Sequence, residues 1–90
     1  YLRKAEYLAR LGDHDSALTA YRSAIKIAEP GVATAHLALA DFYESIGDRR
    51  RAIDTLKEAY RIVPDNARTA DRLRAYGIVP GPTLLDSEDG

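Results

Sequence analysis

Cysteine is absent from this 90-residue chain, as are tryptophan and methionine. Without cysteine the chain can form neither a disulfide nor a thiolate zinc site, and it offers no thiol nucleophile. Valine is scarce at three residues, whereas alanine reaches fifteen and leucine ten. Unbranched side chains lose little rotamer freedom in a helix, so the composition favours helix over strand.

An excess of charge of either sign is also missing. Thirteen basic residues against fourteen acidic ones give a net charge of -1. The chain therefore lacks the basic balance that is typical of nucleic-acid binders and the acidic excess of disordered solubilising segments. On charge alone, a nucleic-acid partner is not expected.

Long hydrophobic runs do not occur. No apolar stretch approaches the ~20 residues that a membrane-spanning helix needs, and no basic-then-apolar leader stands at the start. We expect a soluble chain without a membrane partner, cytoplasmic or periplasmic. Because it begins with Tyr1 rather than Met, we also expect a piece of a longer protein, which leaves the compartment open.

The chain repeats itself at an interval of 35 residues, as Leu2 and Leu37 illustrate. The other identical pairs are Ala5 with Ala40, Gly12 with Gly47, Asp13 with Asp48, Ala17 with Ala52, Ala24 with Ala59 and Ile27 with Ile62. All of them are apolar, small or turn residues, while intervening positions differ. A repeat that preserves packing and leaves the surface free predicts a duplicated buried interface.

Each copy has the pattern of two helices. Apolar residues at helical spacing lead to a Gly–Asp dipeptide, at 12–13 and again at 47–48, in which glycine can end one helix and aspartate can cap the next. A second apolar stripe then runs to Pro30 in the first copy and to Pro64 in the second. We therefore predict two helical hairpins.

Family-specific residues stand at the repeated positions. In the second copy they are His36, Leu39, Ala40, Tyr43, Ala52, Leu56, Ala59 and Pro64, and in the first Tyr1, Lys4, Ala5, Leu8, Ala17, Tyr21 and Ala24. This pattern resembles the tetratricopeptide repeat family over residues 1–76. The resemblance implies a right-handed stack of hairpins. Pro30 comes one residue late, which predicts a one-residue insertion in the last turn of its helix.

Six alanines are predicted to lie where paired helices approach closely, because only a small side chain permits that approach. They are Ala5, Ala17, Ala24, Ala40, Ala52 and Ala59.

A third copy begins after Pro64 and stops early. Asp65 or Asn66 can cap a helix whose apolar residues include Leu73, but Arg74 stands where the family has a small residue. We predict a single capping helix with one polar face, which repeat arrays need at an open end. The predicted divisions are 1–30 and 31–64 for the two repeat units, 65–76 for the capping helix and 77–90 for an acidic tail.

The predicted tail differs in charge from the rest of the chain. Three of the fourteen acids lie in it, which leaves residues 1–76 with thirteen bases and eleven acids, a net charge of +2. We predict that Leu84 and Leu85 dock weakly on the body or in a neighbour's groove. A free tail is the alternative, because ordering each residue costs ~1 to 2 kcal/mol of backbone entropy.

The residues suited to chemistry lack partners in the sequence. His14 and His36 lie in different units without further ligands at metal spacing, so we predict neither a metal site nor a cofactor. We expect His36 to pack where the family has an aromatic residue. His14, Asp15 and Ser16 are the residue types of a hydrolase triad, but adjacent residues at a helix start cannot face one another. We therefore do not expect an enzyme.

Arg49, Arg50 and Arg51 form the one cationic run. At a helix start they oppose the helix dipole, and they form either a docking patch for an acidic partner or a solvated turn. We favour the turn, because short charge runs are common on helix surfaces. A 35-residue interval also occurs in pentatricopeptide repeats, which bind single-stranded RNA, but the alanine-based pattern is not typical of them.

The resemblance implies a peptide-binding groove lined by the first helix of each unit. The implied residues are Leu2, Glu6, Ala9 and Arg10, then Thr34, Leu37, Asp41, Glu44 and Ser45, and finally Arg68, Asp71 and Arg72. Some members of the family clamp a C-terminal carboxylate with five polar residues. Leu2, Glu6 and Ala38 stand at three of those positions, so this clamp is not supported.

These observations predict an all-α protein–protein interaction scaffold. The groove mixes apolar residues with charges of both signs, which favours an extended peptide of matching chemistry. One alternative is self-association through the uncovered apolar end around Tyr1, Leu2 and Leu8. A less favoured alternative is RNA or another acidic ligand bound by the arginines, with an affinity that falls steeply with salt.

Overall fold

Five α-helices make up most of the described chain in the computed structural model, which describes residues 2–81. They are α1 (Leu2–Arg10), α2 (His14–Ile27), α3 (Thr34–Ser45), α4 (Arg49–Ile62) and α5 (Ala67–Ala75). No strand forms between residues 2 and 81, and the predicted all-α fold is confirmed. None of the helices in this range has the length and apolar character to span a membrane.

The helices pack as two adjacent hairpins followed by a fifth helix. In the hairpins α1 packs on α2 and α3 packs on α4. Between them α3 contacts both α2 and α1, and α5 contacts α4. Because α3 reaches back to α1, these two helices form a seam that belongs to both hairpins.

The turn of the second hairpin is built from Gly47 and Asp48. Gly47 has a φ of 79°, its N–H donates to Glu44 O, and the Asp48 N–H donates to Tyr43 O. This pair of bonds is a Schellman C-cap, which requires the left-handed conformation. Asp48 then caps α4. The Arg51 guanidinium at 2.8 Å and the Arg51 N–H at 3.1 Å both donate to its carboxylate, and they lower the Asp48 pKa below its ordinary value.

The first hairpin turns in the same way. The Gly12 N–H donates to Ala9 O, the Asp13 N–H donates to Leu8 O, and the Asp13 carboxylate accepts from the Ser16 N–H. The prediction that glycine ends one helix and aspartate caps the next is confirmed in both hairpins.

The six alanines predicted at close helix contacts are buried. Five of them have no exposed surface, namely Ala5, Ala17, Ala40, Ala52 and Ala59, and Ala24 is 7 % exposed. The repeat therefore preserves packing, as its spacing predicts.

The core has two parts that meet at α3 and α4. The first contains Ala5, Ala17, Ala20, Tyr21, Leu39, Phe42, Tyr43 and Ala52. The second contains Ala40, Leu56, Tyr60 and Leu73, with Leu37, Tyr76 and Ile78 packed against it. The first part joins the two hairpins, and the second joins the second hairpin to α5. The fifth helix is thus a continuation of the core.

Both ends of α5 are capped. The Asn66 side chain accepts from two backbone N–H groups, so of the two predicted caps the structure uses Asn66. At the other end the Gly77 N–H donates to Arg74 O and the Ile78 N–H donates to Leu73 O, and Ile78 packs on the second part of the core. The predicted division at residue 77 therefore runs through this cap. Residues 82–90, including Leu84 and Leu85, lie outside the described range, and their docking stays a prediction.

The extra length of the first unit lies in a loop. Helices α2 and α4 are both 14 residues long and end at the repeated residues Ile27 and Ile62. The segment 28–33 joins α2 to α3, whereas the shorter segment 63–66 joins α4 to α5. The expected insertion in the last turn of α2 is therefore wrong, because the helix ends before Pro30.

Ala59→Leu is expected to lower the free energy of unfolding by ~1 to 3 kcal/mol, because extra methylenes would enter a filled helix contact. Ala75→Leu is the matched control, since Ala75 is exposed at the end of α5; its effect should stay within ~0.5 kcal/mol. Urea unfolding of the 90-residue chain, followed by circular dichroism, measures both. Equal stability of the two variants would contradict the assigned helix contact.

Gly47→Ala is expected to destabilise the chain by roughly 1 to 2 kcal/mol, the cost of holding an L-residue in the left-handed region. Apart from Gly47 and its two chain neighbours, no atom of the described residues lies within 4 Å of the added methyl group, so the loss would come from backbone strain. Gly81→Ala is the control, because Gly81 has no positive φ and equally open surroundings. Thermal unfolding of both variants tests the assignment, which fails if their midpoints coincide.

Candidate functional site

The ten residues predicted to bind peptide lie on α1, α3 and α5. They are Leu2, Glu6 and Arg10 on α1, Thr34, Leu37, Asp41, Glu44 and Ser45 on α3, and Arg68 and Arg72 on α5. The structure divides eight of them among two cavities on the α1–α3 seam and one ionic network between α3 and α5. Their role in binding remains a prediction.

The first cavity, here called the apolar recess, lies where the starts of α1 and α3 meet the end of α2 and the loop that follows it, and it has a volume of about 240 Å³. Its lining residues are Leu2, Ala24, Ile27, Ala28, Val32, Thr34 and Ala35. Ile27 is 65 % exposed and Val32 is 41 % exposed. Large apolar side chains at the rim of an apolar cavity suit an aliphatic or aromatic side chain of a partner.

The second cavity, here called the polar recess, lies at the other end of the seam and has a volume of about 220 Å³. Its lining residues are Glu6, Ala9, Arg10, Tyr21, Ala38, Asp41, Phe42 and Ser45. Two aromatic rings meet in its wall, with the centroids of Tyr21 and Phe42 5.4 Å apart. His14 meets Phe42 edge-on at 5.6 Å. Buried rings in mutual contact give this recess a rigid wall.

Tyr21 connects the polar recess to the core. It is 3 % exposed, and its hydroxyl forms no hydrogen bond with another described residue. Burial raises the pKa of Tyr21, and the nearby carboxylates of Glu6 and Asp41 raise it further. The Tyr21 hydroxyl therefore lies in a region of negative potential.

An ionic network ties α5 to α3. Arg72 Nη2 lies 2.7 Å from Asp41 Oδ1 and 3.0 Å from Glu44 Oε1. The Tyr76 hydroxyl donates to Glu44 Oε2 at 2.5 Å, and this bond, followed by burial, raises the Tyr76 pKa. The Arg49 guanidinium lies 5.5 Å from the centre of the Tyr76 ring. Arg72 thus contacts two other predicted groove charges, Asp41 and Glu44, so a ligand would have to share these carboxylates with α5.

Leu37 and Arg68 lie outside these three groups. Leu37 packs against the second part of the core, so it contributes to stability as well as to the surface. Arg68 is exposed in the first turn of α5, and its backbone N–H donates to Asn66. A substitution at Leu37 would therefore disturb packing and binding together.

Several residues of the site were missed by sequence reasoning. The sequence pattern assigns Tyr21 to an apolar stripe, Tyr76 to the capping helix and Arg49 to a run expected to form a solvated turn. It does not single out Phe42. Two of the three arginines in that run make internal contacts, Arg49 with Tyr76 and Arg51 with Asp48. One sequence feature could have indicated such a contact, namely that Tyr76 is aromatic and directly precedes the helix-ending Gly77.

The surroundings of His36 and the grouping of potential metal ligands bear on the metal prediction. His36 is half-buried on α3, and burial lowers its pKa. Its Nδ1 is buried without a partner among the described residues. Within residues 2–81 no three His, Cys, Asp or Glu side chains are grouped so that they could hold a metal ion.

The edge predicted to self-associate contains both polar and apolar residues. A cavity of about 430 Å³ between α1 and α2 is lined by Lys4, Leu8, Asp15, Ser16, Thr19, Ala20 and Ser23. Leu2 belongs to the apolar recess instead, and Tyr1 lies outside the described residues. Tyr7 and Leu11 are the large apolar residues exposed on this hairpin near α1, at 60 % and 63 %. Self-association stays a prediction.

Comparison with protein families gives one match. A family model described as tetratricopeptide repeat matches residues 1–65, which contain α1 to α4. This match confirms the resemblance drawn from the repeated residues, and α5 lies beyond it. No match was found among curated proteins or among solved structures.

Arg72→Met is expected to loosen α5, because it removes both ionic contacts with α3 and keeps the apolar stem. Partly exposed ion pairs contribute up to ~1 kcal/mol each, so backbone amides of α5 should exchange with solvent roughly two- to fivefold faster per lost pair. Arg74→Met is the control, since among residues 2–81 Arg74 pairs only with Asp71 of its own helix. Hydrogen exchange followed by NMR measures both, and equal rates in the two variants would contradict the bridging role.

Proposed function

The chain belongs to the tetratricopeptide repeat family, whose members are generally protein–protein interaction modules and typically non-catalytic, and we propose that it binds an extended segment of a partner protein along the α1–α3 seam. The observation that carries the proposal is the presence of two recesses on one seam. The apolar recess takes residues from the starts of both helices together with the end of α2 and the loop that follows it. The polar recess takes residues from the middle and end of both helices, together with Tyr21 of α2.

The separation of the recesses limits the ligand. Along α1, Glu6 and Arg10 follow Leu2 by ~6 and ~12 Å at a rise of ~1.5 Å per residue. An extended chain advances ~3.3 Å per residue. A ligand that fills both recesses therefore needs an apolar anchor and a polar anchor separated by about two to four residues.

The ionic network supports the same location. Arg72 is only 20 % exposed and contacts Asp41 and Glu44, so it holds the α3 carboxylates in place more than it offers a free charge. Three of the arginines that would bind RNA or an acidic ligand, Arg49, Arg51 and Arg72, make internal contacts of this kind. These contacts favour a peptide on the seam over an acidic ligand on the arginines.

Thr34→Trp tests the seam, because Thr34 is exposed and lines the apolar recess. Peptides selected from a random phage-displayed library on the 90-residue chain are the probes. The variant should weaken their binding by at least ~10-fold, equivalent to ~1.4 kcal/mol, since the indole fills the recess. The affinity of the synthetic peptides is measured by fluorescence anisotropy.

Thr19→Trp is the matched control, because Thr19 is an exposed threonine that lines the cavity between α1 and α2. It should leave the affinity unchanged. The proposal fails if Thr19→Trp weakens binding and Thr34→Trp does not, if neither variant weakens it, or if the library yields no binding peptide.

A further inference from the structure

We infer that the polar recess receives an arginine side chain of the partner, whose guanidinium lies between the Glu6 and Asp41 carboxylates near the Tyr21 hydroxyl. This inference rests on the proposed function, because the arginine belongs to the segment bound along the seam. It specifies that the polar anchor of the ligand is an arginine, whereas the two recesses alone do not define the chemical class of that anchor.

The polar groups of the recess are mainly hydrogen-bond acceptors. Ionised Glu6 and Asp41 have acceptor oxygens only. Ser45 already donates its hydroxyl hydrogen to Phe42 O at 2.6 Å, which leaves its lone pairs to accept. Arg10 is the only cationic residue in the lining. A guanidinium has five N–H donors and no acceptor, so it complements this set.

Tyr21 gives a second reason to expect a ligand in the polar recess. Its side chain is almost completely buried, and its hydroxyl has no hydrogen-bond partner among the described residues. The hydroxyl oxygen itself is not among the side-chain atoms that are buried without a partner, so it is reached from the recess that Tyr21 lines and can accept a hydrogen bond from a ligand there. Burial raises the Tyr21 pKa, and the nearby carboxylates of Glu6 and Asp41 raise it further. A positive ligand group is therefore favoured at this position.

The shape of the recess suits a long side chain with a flat end. Ala9 and Ala38 are small lining residues, against which the aliphatic stem of arginine can lie. A cavity of about 220 Å³ accommodates one such side chain. A lysine ammonium has a single compact charge and cannot contact two carboxylates with a planar fork, so we expect arginine to be preferred.

Asp41 stays available although Arg72 contacts it. Arg72 Nη2 approaches Asp41 Oδ1, and a carboxylate has about four lone-pair sites, so the second oxygen can accept from a ligand. The Asp41 side chain is 67 % exposed. Arg72 thereby positions Asp41 without closing the recess.

Arg10 opposes the proposed ligand, because like charges in one recess repel each other. Arg10 is exposed at the end of α1, where it can turn toward solvent. Removing its charge should therefore strengthen arginine binding, whereas it should weaken the binding of an acidic ligand. Whether affinity rises or falls when the Arg10 charge is removed therefore distinguishes an arginine ligand from an acidic ligand.

Phe42 provides a direct readout, because it is the only phenylalanine of the chain and lines the polar recess. Fluorophenylalanine labelling gives one ¹⁹F resonance at the site. The probes are N-acetyl arginine methylamide, its neutral citrulline counterpart and its lysine counterpart. The arginine probe should shift the resonance until the site is saturated. The affinities of the citrulline and lysine probes should be at least about two- to fivefold lower than that of the arginine probe.

Four variants give the charge dependence. Glu6→Gln and Asp41→Asn should each weaken arginine binding by about two- to fivefold, and Arg10→Gln should strengthen it by a similar factor. Glu29→Gln is the matched control, because Glu29 is an exposed acid beyond the opposite end of α2; it should change nothing. Aromatic ¹H–¹³C spectra of the unlabelled chain repeat the titration without fluorine.

Three results would overturn the inference. They are the absence of a saturable response to the arginine probe, equal affinity for citrulline or lysine, and affinity that is insensitive to both acid substitutions. If selected peptides lose affinity in Thr34→Trp while the arginine probe leaves Phe42 unchanged, the proposed peptide site stands and the arginine assignment fails. If the arginine probe binds but Thr34→Trp has no effect on selected peptides, the site on the seam fails.

Discussion

Close contact between paired helices at fully buried alanines is the constraint on which the rest of the structure depends. Ala17 and Ala52, related by the repeat, have no exposed surface, so each hairpin brings its helices together without room for a larger side chain. The larger residues of the first core part then pack around these contacts. The same packing places α1 beside α3, and the seam exists only because both hairpins keep this geometry.

The helix α5 links stability to the surface chemistry of the site. Leu73 fills the second part of the core, while Arg72, one residue earlier, reaches Asp41 and Glu44 on α3. Because one face of α5 is anchored in the core, its arginine can hold two carboxylates in fixed positions. Asp41 belongs to this network and also lines the polar recess, so the end of the array influences the charge presented on the seam.

Local physical effects made most of the fold predictable from the sequence. The Gly–Asp turns, the cap at Asn66 and the spacing of the buried alanines act within a few residues of the chain, so a sequence pattern records them directly. The two features that differed from the prediction are also local, but the sequence pattern is compatible with more than one helix end. The loop insertion before α3 and the packing of Ile78 after Gly77 depend on where a helix stops, which composition alone does not define.

By itself the sequence determined the all-α class, the repeat, the family and the helices on which the candidate residues lie. Only the tertiary structure decided how those residues group, with Leu2 in one recess, Glu6 in another and Arg72 bound to α3. The reason is that helical periodicity assigns a residue to a face, whereas an ion pair or a cavity depends on distances between helices that are far apart in the chain. Tyr21 illustrates the difference, since its spacing places it in the core and only the packing of α1 and α3 brings the carboxylates of Glu6 and Asp41 near its hydroxyl.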